Sequence, residues 1–204
     1  VYEGRKVAAV IAAHDEERHI AGVITSLPDV VDVVVVVDDA STDGTSEAAL
    51  AAGDPRLVLV RHETNTGVGG AVCSAYRAAL EAGADLFVRL DGDGQMDPDY
   101  LTDLLDPLVH DGYGFAKANR FFSATSFEGM PRHRIVGNVV LSFLTKASSG
   151  YWHLFDPQNG YTAVTREVLE RLDLDRVRKG YDFENDFLIN LNILGIRARD
   201  VPVP

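Results

Sequence analysis

The chain has 204 residues, 46% of them hydrophobic, which is one domain's worth, enough to bury a real core and too apolar for wholesale disorder. A formal net charge of −12 excludes the basic face that a nucleic-acid binder needs to replace phosphate counterions. Cys73 is the single cysteine, which excludes an internal disulfide and a cysteine-based zinc site, and no apolar run nears the ~20 residues that span a bilayer.

The chain opens on Val1, as a trimmed chain does, and a charged, then apolar, then small-residue leader is missing, which points to the cytoplasm. Lys6 to Ala12 (KVAAVIA) reads as a buried strand. Asp15 to Leu27 follows as a helix, with Ile20, Val23, Ile24 and Leu27 at helical spacing and acids in the first turn. Asp32 to Asp38 holds five consecutive valines, β-branched and too short a run for a buried helix, and is a second strand. Ser41 to Gly53 begins as a loop and ends as a helix with Gly53 at its C-terminal cap. Leu57 to Arg61 is a third strand, Gly69 to Ala82 a third helix and Asp85 to Leu90 a fourth strand. Continuous apolar strands alternating with helices predict an α/β fold, a mostly parallel sheet covered on both faces.

Asp97-Pro98 starts a further helix that runs toward Val109, with Pro107 expected to end it early. Tyr113 to Ala118 reads as a strand, residues 119 to 132 as a mobile loop, and Arg134 to Ala147 as a helix. Gly160 to Val164 (strand), Arg166 to Leu172 (short helix), Asp182 to Leu194 (helix closed by Gly195) and Ile196 to Val203 (strand) complete the chain.

Polar signatures follow each of the first four strands: HDEE at 14 to 17, DDASTDGT at 38 to 45, NTGVGG at 65 to 70 and DGDGQ at 91 to 95. Ligands of open α/β sheets bind outside the carboxyl ends of the strands, so these signatures converge on one crevice. The turn RLDGDGQMDPD packs four aspartates around two glycines, and two unit charges about 4 Å apart repel by roughly 4 kcal/mol at an effective dielectric near 20. A cation among those oxygens resolves the repulsion. In an extended segment Asp91, Asp93 and Gln95 share a face, and two carboxylates with an amide oxygen suit Mg2+ or Mn2+. Gly92 and Gly94 admit close approach and unusual torsions. Of the pair Asp38-Asp39, one carboxylate is placed to accept from a nucleobase N–H, while Ser41, Thr42 or Asp43 caps the next helix. GVGGAV lacks the last glycine of G-x-G-x-x-G and follows the third strand, and without G-K-[ST] it is no P-loop.

Taken together, VAAVIAAHDEE, VVVVVDDASTDGT, NTGVGGAVCSAY and RLDGDGQMDPDYL resemble glycosyltransferase family 2, enzymes of the GT-A fold that use nucleotide-activated sugars. The family's usual Pro-Ala-Tyr-Asn is here Ala12-Ala13-His14-Asp15, and Val68 stands where a lysine is frequent. The second half is similar, more loosely, to the synthases that charge a polyprenyl phosphate, such as dolichyl-phosphate mannose synthase. Their Asp-x-Asp-x-Gln metal site is matched by Asp91, Asp93 and Gln95, and their arginine after the fifth strand by Arg120. Arg132 or Arg134 matches a second arginine, and DPQNGY at 156 to 161 their Asp-Pro-x-x-Gly-aromatic turn.

The resemblance implies a single GT-A domain over residues 1–204, with a donor part to about 118 and an acceptor part beyond it. It implies an inverting transfer from a GDP-mannose or UDP-glucose type of donor to a polyprenyl phosphate, with Mg2+ or Mn2+. Donor contacts are expected from Ala12, His14, Glu16, Asp38, Asp39, Gly67, Gly70, Asp91 and Gly92, and acceptor-phosphate contacts from Arg120, Arg132 and Arg134. Asp93 is expected to be both catalytic and a metal ligand. A hydroxyl acceptor would instead need a carboxylate base, for which YDFENDFLINL offers Glu184 or Asp186, unless both are first-turn acids of the helix. A nucleotide-binding relative without chemistry is the third reading. Phe121, Phe122 and Phe127 provide for peripheral contact with the cytoplasmic face of a membrane.

Overall fold

The computed structural model describes residues 1–120, 145–156, 159–180 and 182–203. Strands Val7–Ala13 (β1), Val33–Asp38 (β2), Leu57–Arg61 (β3) and Leu86–Asp91 (β4) alternate with helices Ile20–Ser26 (α1), Thr45–Ala51 (α2) and Val68–Glu81 (α3). A 3-10 turn, Pro98–Tyr100, leads into helix Leu101–His110 (α4) and strand Phe115–Asn119 (β5). Residues 145–149 are helical (α5). Strand Thr162–Thr165 (β6), helices Arg166–Arg171 (α6) and Phe183–Ile193 (α7), and strand Ala198–Pro202 (β7) follow.

The seven strands form one sheet in the order β3-β2-β1-β4-β6-β5-β7. β1 pairs in parallel with β2 and β4, β2 with β3, and β5 with β7. β6 alone runs antiparallel, wedged between β4 and β5. The valine run of β2 is buried on both faces: Val33, Val35 and Val37 enter one core, and Val34 and Val36 the other. That two-sided burial is why the strand reads as a continuous apolar run and not as an alternation. The first core packs α3 and α7 through Tyr76, Phe87, Phe115, Phe183 and Phe187, and the second packs α1 and α4 through Ile20, Ile24, Leu101, Leu104 and Leu105.

Two predicted boundaries move. Helix α1 starts at Ile20 and not at Asp15, because Asp15 takes a left-handed φ of 58° and its carboxylate accepts from Thr42 N at 2.7 Å. Glu16 N likewise donates to Thr45 Oγ1 at 2.8 Å, so the acidic segment ties two loops together instead of opening a helix. Pro107 does not end α4, which continues to His110. Leu101, Leu104, Leu105 and Leu108 are buried around it, and that packing outweighs the lost backbone bond. Of the helix expected over Arg134 to Ala147, residues 134–144 lie outside the described residues, as does most of the loop expected before it.

Candidate active site

The carboxyl ends of β1, β2 and β4 and the loop after β3 surround a cleft of about 520 Å³. Ala12 to His14 form one wall, Asp39, Asn65 and Gly67 another, and Asp91 to Asp93 the floor. The loops are stitched by backbone bonds: Asp39 N donates to Ala13 O at 2.8 Å, and Gly92 N to Ala12 O at 3.3 Å. His14 Nδ1 lies 2.9 Å from Asp39 O, and its Nε2 lies 3.3 Å from Asn65 Nδ2. Glu16 also lines the cleft.

The adjacent aspartates of DDASTDGT divide their work. Asp38 is fully buried and is not in the cleft: it accepts from Ser41 N at 2.8 Å and from Ser46 Oγ, and so builds the loop leading to α2. Burial pushes its pKa up, and the bonds from Ser41 and Ser46 outweigh this and hold the carboxyl below its ordinary range. The expected donor contact at Asp38 is therefore corrected to a structural one. Asp39 does reach the cleft. Its Oδ1 accepts from Thr66 N and Oγ1, each at 2.9 Å, and meets His62 Nδ1 at 2.7 Å, whereas among the described residues Oδ2 has only Thr66 N at 3.1 Å. Burial raises its pKa too, and the His62 and Thr66 bonds overcome that and lower it.

Within NTGVGG, Gly67 takes a φ of +82° and lines the cleft, and a Cβ on it would stand 2.6 Å from Lys179 O. Gly69 N donates to Lys179 O at 2.9 Å, so this loop is packed under residues 178–180. Gly70 faces Thr66, whose Oγ1 a Cβ would approach to 2.3 Å, and does not line the cleft. Its small size keeps room for Thr66 within the loop.

Strand β4 ends at Asp91, and residues 92–94 are a turn with Gly94 at a φ of +72°, so the extended geometry expected here is absent. The turn nonetheless brings the three side chains to one place. Asp91, Asp93 and Gln95 line a second chamber of about 170 Å³ with Arg120, Asn159 and Tyr161. Asp91 and Asp93 line both spaces, standing as the partition between them. Among the described residues no three His, Cys, Asp or Glu side chains cluster as metal ligands. The donor set is two carboxylates and one amide, oxygens suited to a hard divalent ion. Space beside Asp91 is kept by Gly160, where a Cβ would fall 2.8 Å from Asp91 Oδ2. On these observations the residues fit Mg2+ or Mn2+.

Sequence reasoning missed Arg89. It is buried at the cleft floor, donating to Glu184 Oε1 at 2.9 Å and to Asp91 Oδ1 at 3.2 Å, and its guanidinium lies 5.4 Å from the Phe183 ring centre. Burial opposes its charge, and Asp91 and Glu184 more than restore it. Its Nε has no hydrogen-bond partner among the described residues. The signal was present: an arginine inside an apolar strand, two residues before Asp91 and so on the same face. Glu184 lines the cleft, one-eighth exposed, under Arg89. Asp186 does not line it; its Oδ2 accepts from Arg178 N at 3.0 Å and Asn190 Nδ2 at 3.2 Å. Arg120 is oriented by Asp156, buried to 2% exposure, through Nε at 2.8 Å and Nη2 at 3.3 Å. Arg132, Arg134, Phe121, Phe122 and Phe127 lie outside the described residues. The cleft also draws Gly180 and Glu184 from beyond residue 118.

The model of the family described as "Glycosyl transferase family 2" matches residues 8–173. The UDP-N-acetylglucosamine--dolichyl-phosphate N-acetylglucosaminyltransferase of Methanococcus voltae is 29% identical, over 95% of this chain and 83% of that protein. The undecaprenyl-phosphate mannosyltransferase of Micrococcus luteus is 31% identical, over 97% and 82%. Among solved structures, glucosyl-3-phosphoglycerate synthase from Mycobacterium tuberculosis, in complex with Mn2+, UDP and phosphoglyceric acid, superposes with a TM-score of 0.75 at 25% identity. It covers 98% of this chain and 69% of its own.

Proposed function

The chain belongs to glycosyl transferase family 2, and from that premise we propose that it moves a sugar from a nucleoside diphosphate onto the phosphate of a polyprenyl phosphate. The observation that carries the acceptor class is the state of Glu184. A hydroxyl acceptor needs a base within reach, and this carboxylate is instead clasped by the buried guanidinium of Arg89. A phosphate acceptor needs no base, because its second pKa is about 6. It needs a cation, and Arg120 lines the chamber beyond the Asp91–Asp93 partition. The two relatives whose names state dolichyl-phosphate and undecaprenyl-phosphate acceptors support the same reading.

The donor, of GDP-mannose or UDP-glucose type, lies along the larger cleft. Its base sits between His14 and Asp39, where Asp39 Oδ2 keeps a lone pair for a base N–H. Asp91, Asp93 and Gln95 would hold the divalent ion, which when bound supplies positive charge to the leaving diphosphate. Arg89 offsets part of the acidic charge from below, and Arg120 orients the acceptor phosphate in the smaller chamber. A phosphate oxygen then bonds to the anomeric carbon as the bond from that carbon to the diphosphate breaks. In the proposed reaction the attack is in line, and such a displacement inverts the anomeric centre. Trp152 and Phe155, exposed and within four residues of Asp156, offer apolar surface for peripheral contact with a lipid phase. Among the described residues no helix is long and apolar enough to cross a membrane.

The test is a labelled-sugar assay with UDP- and GDP-sugars, Mn2+ or Mg2+, and undecaprenyl phosphate offered beside 3-phosphoglycerate. Label extracted into the organic phase, and lost on Arg120→Ala, is the expected result. Label entering only phosphoglycerate overturns the lipid acceptor and favours the hydroxyl reading with Glu184 as base, the reading suggested by phosphoglyceric acid in the superposed structure. No hydrolysis or transfer from any donor favours a nucleotide-binding relative without chemistry.

A further inference from the structure

Lys117 is a fully buried cation that the reaction above does not use. An ammonium taken out of water is costly unless it is paired and hydrogen-bonded, so its place in the middle of β5 calls for a physical reason. Its Nζ donates to the backbone carbonyl of Asn159. The charged groups around it are Asp156, Glu184 and Asp200, with Arg89 as a nearby like charge. Burial dominates them and brings its pKa down to about 8.

Asn159 belongs to a turn that touches both sides of the site. From this turn Asp156 holds Arg120, and Gly160 packs against the carboxylate of Asp91. Tyr161 OH donates to Asp97 O at 3.1 Å, on the loop that carries Asp93. Among the described residues, Asn159 N donates to Asp156 O at 3.3 Å, Tyr161 N to Asn159 Oδ1 at 3.0 Å and Ala118 N to Tyr161 O at 2.9 Å, and ladder pairing begins at Thr162. The Ala118 bond ties Tyr161 to β5, and the Lys117 ammonium ties Asn159, on the far side of Gly160, to the same strand.

We infer that Lys117 is a positioning residue: by clasping the Asn159 carbonyl it fixes the turn that spaces Arg120 from Asp91, and so sets the separation of acceptor phosphate and donor diphosphate. This rests on the acceptor reading of Arg120, and the experiment separates the two. Lys117→Met removes donor and charge, and Lys117→Gln keeps an N–H and serves where the Met variant does not fold. Hydrogen exchange on the whole chain should show at least tenfold faster exchange of amides 159–161 in Lys117→Met, less in Lys117→Gln, and no change in β1 to β4. In steady-state kinetics the acceptor KM should rise at least tenfold while the donor KM stays within twofold. Faster exchange of the turn with an unchanged acceptor KM upholds the pin and counts against Arg120 as the acceptor's cation. Unchanged exchange at 159–161, or exchange raised equally throughout the sheet, overturns the inference.

Discussion

Asp38 and Asp39 are neighbours in sequence and differ in what their lone pairs are free to do. Asp38 spends its oxygens on Ser41 and Ser46, and its lowered pKa makes it a stability group. A carboxyl whose folded pKa lies below the unfolded value of about 3.9 contributes fully above that pH and loses its contribution as pH falls through the folded value. Melting temperature scanned from pH 6 to pH 2 should therefore drop below about pH 4, with a shallower drop in Asp38→Asn. At the cleft floor, Arg89 and Glu184 are unequal partners in one ion pair. Arg89→Met leaves Glu184 and Asp91 without their shared cation and should cost about 3–5 kcal/mol by urea unfolding, the usual result of orphaning a buried charge. Glu184→Gln keeps an acceptor for Arg89 and should cost about 1 kcal/mol. Arg89 and Lys117 were both legible as charged residues within apolar strands. Their partners were not, because Glu184 is 95 residues from Arg89 and Asn159 is 42 from Lys117.

At the scale of elements, the strands and helices of the first half stand where the period and composition of the chain put them, since a parallel βα repeat buries each strand on both faces. The failures have local causes. Asp15 and Glu16 read as helix-start acids and instead bond to the neighbouring loop, and Pro107 reads as a stop and is overridden by four buried leucines. The antiparallel sense of β6 had no sequence signal, because a strand of four residues looks the same in either direction. The glycine loop illustrates the converse: its residues were conspicuous, and the reason for them came from afar. Gly69 is small because Arg178 O and Phe183 press on it, at 2.6 Å and 2.7 Å from where a Cβ would be. Gly69→Ala should cost about 1–3 kcal/mol through overpacking and should weaken nucleotide binding in calorimetry, since the displaced segment carries Gly180 and Glu184 into the cleft. Gly53→Ala, with open space around its Cβ but a φ of +66°, should cost about 1–2 kcal/mol and leave nucleotide binding unchanged.

For the whole molecule, the net charge of −12 sets the terms on which it meets an anionic donor. A ligand at 100 times its Kd stabilises the fold by about 2.7 kcal/mol, which for a chain of this size is a rise of about 5–11 °C in Tm. UDP or GDP with Mn2+ should produce that rise, and EDTA or Asp91→Asn should abolish it; a full rise without metal would show that the acidic pair does not need an ion. Composition and periodicity by themselves determined the layered α/β frame, the crowding of acidic loops at one sheet edge, and the residue types able to hold a divalent ion, because each depends on contacts within a few residues along the chain. The tertiary structure alone decided which aspartate builds a loop and which faces the cleft, that Glu184 is clasped by Arg89, and that Asp156 meets Arg120 while Gly160 meets Asp91. Those are matters of which distant side chains meet in a space closed to water, where an unpaired charge is too costly to leave unpaired, and chain order carries no record of such meetings.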